Sequence, residues 1–325
     1  MIRLIKLTGG GTIGMPEKDS ATRIMRSGEV QSEKTVILHL TPNPTEEAMR
    51  FYSHQNAYAA FVVWHGRFLF VNGNKTEQLC RGDFVFIPPG IIYGYQPLVP
   101  QSELLVLTTL EDPAVLLEAI DQDKNEMFQE PQKVPNLANV TEVHSHRPFD
   151  FAKPIDQGAS LSTFLQPYSL DATTCSRWIF GGVIARPFVR HTQCEGKFSV
   201  SALVSSRVHR VWPFLNRWLS FTSVDHCFCV IEGMFLVKLR DEDEWTELRE
   251  GQAIRVPARQ RFTADVGSEH LNMLTFTNGV GIDELICKAG HEYGSTALPE
   301  TVGGWDSWDE LRLRAACSAV GALLD

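Results

Sequence analysis

The sequence lacks the features that mark membrane-spanning and disulfide-stabilised proteins. No stretch of the 325 residues approaches the ~18 consecutive apolar residues that a membrane-spanning helix needs. Residues 1–8 are too short and too charged for a secretion signal. The seven cysteines are scattered and odd in number, which does not suit a disulfide framework. We therefore expect a cytoplasmic protein.

Positive charge is also scarce. The chain has 30 Lys and Arg residues against 39 Asp and Glu residues, a net charge of −9, which argues against a nucleic-acid or anionic-membrane partner. Hydrophobic residues make up 43% of the chain and charged residues 21%, as in an ordinary globular protein. A chain of this length suits two domains better than one.

Two stretches share one pattern of turn, strand and aromatic residues. In the first, Phe84–Ile87 is a short apolar run that predicts a buried strand. The pattern is a glycine, a proline and an aromatic residue at fixed spacing: Gly82, Pro88 and Tyr93 in one copy, and Gly251, Pro257 and Phe262 in the other. A repeat of this kind indicates two copies of one structural unit.

Short apolar runs separated by turn residues dominate both halves and predict an all-β fold with a few short helices. A hairpin is expected to turn near Gly66, and Asn72-Gly73 is a strong turn signal. Residues 114–121 follow Asp-Pro and are expected to form a helix. The chain from Ser307 carries a capping-box sequence and predicts a terminal helix that packs on a barrel wall.

The resulting domain boundaries follow the repeat and the composition. We expect a first barrel over residues 1–125, a proline-bearing linker over 126–170, a second barrel over 171–300 and the terminal helix over 301–325. The linker contains the only His-x-His sequence of the chain, His144 and His146. We interpret it as a solvated loop pair. A glycine-rich loop at residues 7–14 lacks the context of a phosphate site and is interpreted as a flexible entry loop.

The order of strands, turns and closing helices resembles the cupin superfamily, and in particular the two-barrel cupins similar to quercetin 2,3-dioxygenases. The resemblance implies two tandem jelly-roll barrels, also called double-stranded β-helices. It also implies four metal ligands in the first barrel, three histidines and a glutamate. These positions hold Tyr52, His54, Ala59 and Tyr93 here, so one ligand of four remains. Because a transition metal needs about three protein ligands, we expect no metal and no cofactor.

The second barrel departs further from the ligand pattern. The positions that correspond to the four ligands hold Leu219, Phe221, His226 and Phe262. Three of them are apolar and predict core packing. His226 is interpreted as a hydrogen-bonded core or rim histidine.

The first barrel retains residues that suit a small-molecule site. We expect His54, Tyr52, Tyr93 and His39 to be its catalytic residues. The resemblance and the alternation of side chains along strands add four substrate-binding residues on the apolar walls: Phe61, Val63, Tyr95 and Leu104. A neutral histidine can accept a proton, and a buried tyrosine can donate to a developing enolate or phenolate.

Three functions are compatible with this pattern. The first is a metal-independent lyase, isomerase or cyclase that acts on a small aromatic or polyketide-like metabolite of secondary metabolism. The second is a quercetinase-like dioxygenase with an unusual His/Tyr metal site, and the third is a non-catalytic protein that binds such a metabolite. The candidate assembly is a homodimer.

Overall fold

The structure is a computed structural model. It describes residues 4–6, 20–26, 36–42, 49, 51–54, 56–73, 75–109, 166–172, 175–209, 214–295, 297–299 and 309–325. The glycine-rich loop, the helix expected over residues 114–121 and the pair His144 and His146 lie outside these residues.

Two antiparallel sheets form the first barrel. The larger sheet contains β2 (Ser20–Arg26), β3 (Val36–Thr41), β5 (Ala59–His65), β8 (Phe84–Ile87), β10 (Glu103–Thr108) and β11 (Tyr168–Leu170), in the order β11-β8-β5-β10-β3-β2. The smaller sheet contains β4 (Phe51–Tyr52), β6 (Arg67–Asn72), β7 (Lys75–Cys80) and β9 (Tyr93–Pro97), in the order β4-β9-β6-β7. The predicted strand Phe84–Ile87 is therefore confirmed.

The second barrel repeats this plan with additional strands. Its larger sheet contains β1 (Leu4–Lys6), β12 (Trp178–Phe180), β13 (Val183–Val189), β14 (Ser199–Ser205), β16 (His226–Glu232), β19 (Gln252–Val256), β21 (Leu271–Thr277) and β22 (His291–Glu292), in the order β1-β19-β16-β21-β14-β13-β12-β22. Its smaller sheet contains β15 (Leu219–Phe221), β17 (Met234–Leu239), β18 (Thr246–Arg249), β20 (Phe262–Val266) and β23 (Ala322–Leu324), in the order β18-β17-β20-β15-β23.

Each larger sheet ends in a strand from the other half of the chain. β1, near the amino terminus, pairs with β19 of the second barrel. β11, which the sequence places at the end of the linker, pairs with β8 of the first barrel. This exchange covers β19 and β8. Without it, these two strands would be sheet edges open to pairing with other chains.

A glycine marks the corner at which the chain passes from one sheet of a barrel to the other. Gly66 has φ +80° and Gly233 has φ +90°, a conformation that favours glycine. β5 and β6, on the two sides of Gly66, belong to different sheets. The hairpin expected at Gly66 is therefore wrong, because the turn redirects the chain between sheets and the two strands do not pair. The turn at Gly73 does join a hairpin, since Asn72 pairs with Lys75.

Two α-helices lie among the described residues. Helix α1 (Ile282–Ala289) follows β21, and helix α2 (Glu310–Val320) contributes buried side chains to the second barrel's core. The terminal helix is thus confirmed, but its N-cap is Asp309, which accepts hydrogen bonds from two backbone amides, rather than Ser307. Within the described chain, no helix has the length and hydrophobicity required to cross a membrane.

Side chains alternate between the inside of the first barrel and the contact with the second barrel. Phe61 and Val63 of β5 point into the barrel, whereas Val62 between them faces outwards. The outward side chains form one core with outward side chains of the second barrel. In this core the rings of Phe84 and Phe188 stack with their centroids 5.0 Å apart.

Candidate functional site

The four positions that correspond to metal ligands converge in the first barrel. Tyr52 of β4 lies directly opposite Tyr93 of β9, and their ring centroids are 5.7 Å apart. Nε2 of His54 lies 3.1 Å from the hydroxyl oxygen of Tyr93. Ala59 begins β5 and is buried. The first barrel therefore holds one hydrogen-bonded His–Tyr pair at this place.

Burial sets the protonation state of both members of this pair. It raises the pKa of the Tyr93 phenol well above its ordinary value of 10.0, since an apolar surrounding penalises the charged form. It lowers the pKa of His54 from its ordinary value of 6.5. Near neutral pH the pair is thus a neutral phenol beside a neutral imidazole, and the hydroxyl donates when Nε2 carries no proton.

Aromatic rings fill the barrel behind the pair. Phe61 lies 5.3 Å from Tyr93 and 5.9 Å from Tyr95, measured between ring centroids. Phe70 stacks on both tyrosines at 6.4 and 6.1 Å. Tyr93 is 1% exposed, whereas Tyr52 and His54 are half-buried. Solvent therefore reaches Tyr52 and His54, whereas the ring of Tyr93 is enclosed.

The other predicted wall residues are also brought to this interior. Val63 and Leu104 are buried and belong to the same hydrophobic core as Phe61 and Tyr93. Tyr95 packs against that core and remains half-buried. Their predicted contact with a substrate stays a prediction.

His39 is not part of this cluster. It lies opposite Leu105 in the pairing of β3 with β10, and Leu105 belongs to the core between the barrels. The neighbouring Leu40 points into the barrel instead. Nε2 of His39 lies 2.9 Å from a carboxylate oxygen of Glu103, and this hydrogen bond lowers the pKa of Glu103. The expectation that His39 lines the pocket is therefore wrong, because strand parity turns it to the opposite face.

These donors do not fit the transition metal that the resemblance implies. Ala59 offers no ligand atom in place of the glutamate. The raised pKa of Tyr93 disfavours the phenolate that a metal would require. Among the described residues, no group of three or more His, Cys, Asp and Glu side chains is placed to hold an ion.

The equivalent positions of the second barrel are filled by core side chains. Leu219 lies opposite Phe262, just as Tyr52 lies opposite Tyr93, which confirms the predicted alignment of the repeats. His226 is 1% exposed, and its Nε2 accepts a hydrogen bond of 3.1 Å from the backbone N–H of Ile282. Burial lowers the pKa of His226 to about 3. It is a neutral core histidine that caps helix α1.

A buried polar group that the sequence did not reveal lies in the first turn of this helix. The hydroxyl of Ser201 donates to a carboxylate oxygen of Asp283 at 2.7 Å, and burial raises the pKa of that carboxyl. The other oxygen of Asp283 and the hydroxyl of Thr275 are buried without a hydrogen-bond partner. The sequence offered one indication of this group, an acidic residue in the first turn of the helix. Acidic residues are common there because they interact favourably with the helix dipole, so the residue type alone did not indicate burial.

Solved structures share this arrangement of barrels. The protein Ylba from E. coli, of family DUF861, has a TM-score of 0.53 at 12% identity, over 85% of this chain and 90% of that one. A variant of Bacillus subtilis oxalate decarboxylase has a TM-score of 0.52 at 12% identity, over 85% and 77%. The Lactobacillus farciminis oxalate decarboxylase formate complex has a TM-score of 0.54 at 12% identity, over 85% and 86%. No family model matches the sequence, and no curated protein matches it.

These similarities establish the fold. The chain has an all-β fold with two tandem cupin barrels. The neighbours named above are a DUF861 protein and oxalate decarboxylases, and they do not support the resemblance to quercetin 2,3-dioxygenases in particular.

Proposed function

We propose that this chain is an enzyme that moves protons without a metal, at the His54–Tyr93 pair of the first barrel. The observation that carries this proposal is the 3.1 Å contact between His54 and Tyr93, with both side chains neutral near neutral pH. In the tautomer whose Nε2–H donates to the Tyr93 oxygen, Nδ1 of the neutral imidazole has a lone pair for a substrate proton, and the phenol keeps its own proton for a developing oxyanion. The pair therefore holds one group in each of the two protonation states that such a reaction needs.

The surroundings favour an aromatic or polyketide-type substrate. Tyr52 and Tyr95 are half-buried and their rings stack, with centroids 6.0 Å apart. Their faces extend the apolar interior of the barrel towards solvent, and flat rings pack well on such faces. A substrate held there would bring an acidic C–H bond to His54 and the adjacent carbonyl oxygen to Tyr93. Dehydration, keto–enol isomerisation and ring closure all begin with this proton transfer.

Hydrogen–deuterium exchange tests the proposal without knowledge of the product. A panel of aromatic 1,3-diketones and polyketide lactones is incubated in deuterated buffer, and mass spectrometry follows exchange beside the carbonyl group. The wild-type protein should accelerate exchange of at least one compound. His54→Ala should remove the effect, and Tyr93→Phe should reduce it by ~10²–10⁴-fold.

Tyr168→Phe is the matched control. Tyr168 is a tyrosine of the first barrel's larger sheet, and its hydroxyl donates to the backbone oxygen of Phe188 at 2.8 Å, in the contact between the barrels. This variant should exchange the substrate at the wild-type rate. Saturable binding without exchange, equally tolerant of His54→Ala and Tyr93→Phe, would refute catalysis and identify a binding protein.

A further inference from the structure

A separate cavity lies between the two barrels. It measures about 300 Å³, at the lower end of the range for small-molecule sites. Trp64 and Val62 contribute from the first barrel, on the side of β5 that faces away from the His54–Tyr93 pair. The remaining walls come largely from the second barrel and include Arg186, Phe188, Leu274 and Asn272.

Arg186 is the unusual member of this wall. It interrupts the otherwise apolar strand β13, and its guanidinium carbon lies 4.8 Å from the ring centre of Phe188. Its Nε is buried without a hydrogen-bond partner, and the guanidinium forms no ion pair within the described part of the chain. Burial lowers the pKa of Arg186, while Asp171 and Asp83 act on it only through space.

Asp83, one of these two acidic residues, directs its carboxylate away from Arg186. The carboxylate of Asp83 instead accepts hydrogen bonds from the backbone amides of Cys80 and Ala172, at 2.8 and 2.9 Å. A guanidinium has five N–H donors and remains charged in proteins. Arg186 is half-buried, and a cation held partly away from water without a partner is unfavourable, so this wall is electrostatically suited to an anion.

The rest of the cavity defines the shape of that anion. Trp64 and Leu274 provide aromatic and aliphatic surface, and the buried side-chain oxygen of Asn272 has no hydrogen-bond partner. Arg81 and Glu232 also line the cavity, and their side chains are 52% and 62% exposed. Solvent therefore reaches both of these lining residues. Because the charges of Arg81 and Glu232 are opposite, the lining carries one net positive charge on largely apolar walls, which matches one negative charge on an apolar body.

We propose that the cavity between the barrels binds a small monocarboxylic acid with an aromatic or aliphatic body, and that its carboxylate pairs with Arg186. A planar guanidinium can hold both carboxylate oxygens, which makes such pairs strong and directional. The apolar body lies against Trp64 and Leu274. This site is distinct from the His54–Tyr93 pair and its occupancy does not depend on the function proposed there.

Calorimetry with benzoate, hexanoate, benzyl alcohol and inorganic phosphate tests this proposal on the full chain. At least one of the two carboxylates should bind saturably. Benzyl alcohol should bind more weakly because it lacks the charge, and phosphate should bind more weakly because it lacks the apolar body. Arg186→Gln should raise the dissociation constant at least about tenfold, since a hydrogen-bonded charge is lost. Arg186→Lys should give an intermediate value, because lysine keeps the charge but cannot pair with both oxygens.

Two controls separate loss of binding from loss of structure. Arg186→Gln removes an unpaired charge from a half-buried side chain, so its melting temperature should equal or exceed that of the wild type. Arg249→Gln removes an arginine that is 69% exposed, on β18, and should bind the carboxylates as the wild type does. Failure of both carboxylates to bind, unchanged binding by Arg186→Gln, or equal binding of benzyl alcohol or phosphate would overturn the proposal.

Discussion

Acid should destabilise the second barrel through a single histidine. His226 lies in the core, with its ring 4.3 Å from that of Phe221. Its Nε2 accepts a hydrogen bond from the N–H of Ile282. A second proton on the ring would bind to Nε2, remove this hydrogen-bond acceptor and leave a positive charge among aromatic side chains. This is why burial lowers its pKa to about 3.

The size of the effect follows from proton linkage. In the unfolded chain His226 has its ordinary pKa of 6.5, so it takes up a proton below about pH 6.5 while the folded protein does not. The stability that this histidine contributes is present above its unfolded pKa and is lost as the pH falls towards 3. Between about pH 7.5 and about pH 5 the loss spans roughly 1.5 pKa units, or about 2 kcal/mol.

Urea denaturation at these two pH values, with and without His226→Gln, measures the effect. Glutamine keeps an acceptor for the N–H of Ile282 but does not titrate. Asp283 acts in the opposite direction, because its raised pKa adds stability as the pH falls, so the difference between the variants isolates His226. His270→Gln, which changes a histidine that is 53% exposed, should retain the wild-type slope. An identical pH dependence in His226→Gln and the wild type would refute this reasoning.

Three further outcomes are expected. Tyr93→Phe should lower the free energy of unfolding by only about 1 kcal/mol in urea denaturation, because it removes one hydrogen bond to a half-buried histidine. Gly233→Ala should lower the melting temperature markedly, at a cost above about 2 kcal/mol, because a Cβ there would collide with backbone atoms of His270 at a φ of +90°. Metal analysis of protein purified without a chelator should find no stoichiometric transition metal, and stoichiometric iron, copper, nickel or manganese lost in His54→Ala would contradict the proposed chemistry.

The repeat and its turns were predictable from the sequence because they rest on local chemistry. The spacing of Gly82 and Tyr93 recurs at Gly251 and Phe262, and both aromatic residues begin the strand after the turn. Turn residues and alternating apolar residues specify where the next strand begins and which side chains share a face, over a stretch of about a dozen residues. The four ligand positions came from the resemblance to cupins, and the structure places two of them, Tyr52 and Tyr93, directly opposite each other.

Features that depend on distant parts of the chain were not predictable in this way. The placement of His39 depended on which face of β3 meets the barrel interior, and a shift of one residue reverses every side chain. Gly66 carries a turn signal, but only the assembled sheets show that it joins two of them. The cavity around Arg186 requires both barrels, and the sequence showed only a charged residue within an apolar strand.

The contrast between the barrels supports placing any chemistry in the first one. Ala59 and His226 occupy equivalent positions in the two barrels. Ala59 has no polar side chain, whereas His226 accepts a hydrogen bond from the first amide of helix α1. At another pair of equivalent positions, Tyr93 bonds to a half-buried histidine, whereas Phe262 packs in a closed core. A reactive group needs solvent access and a protonation state suited to neutral pH. His226 has neither property, since it is enclosed and its pKa is about 3. Half-buried His54 of the first barrel reaches solvent, so this contrast favours the first barrel as the place of the proposed proton transfer.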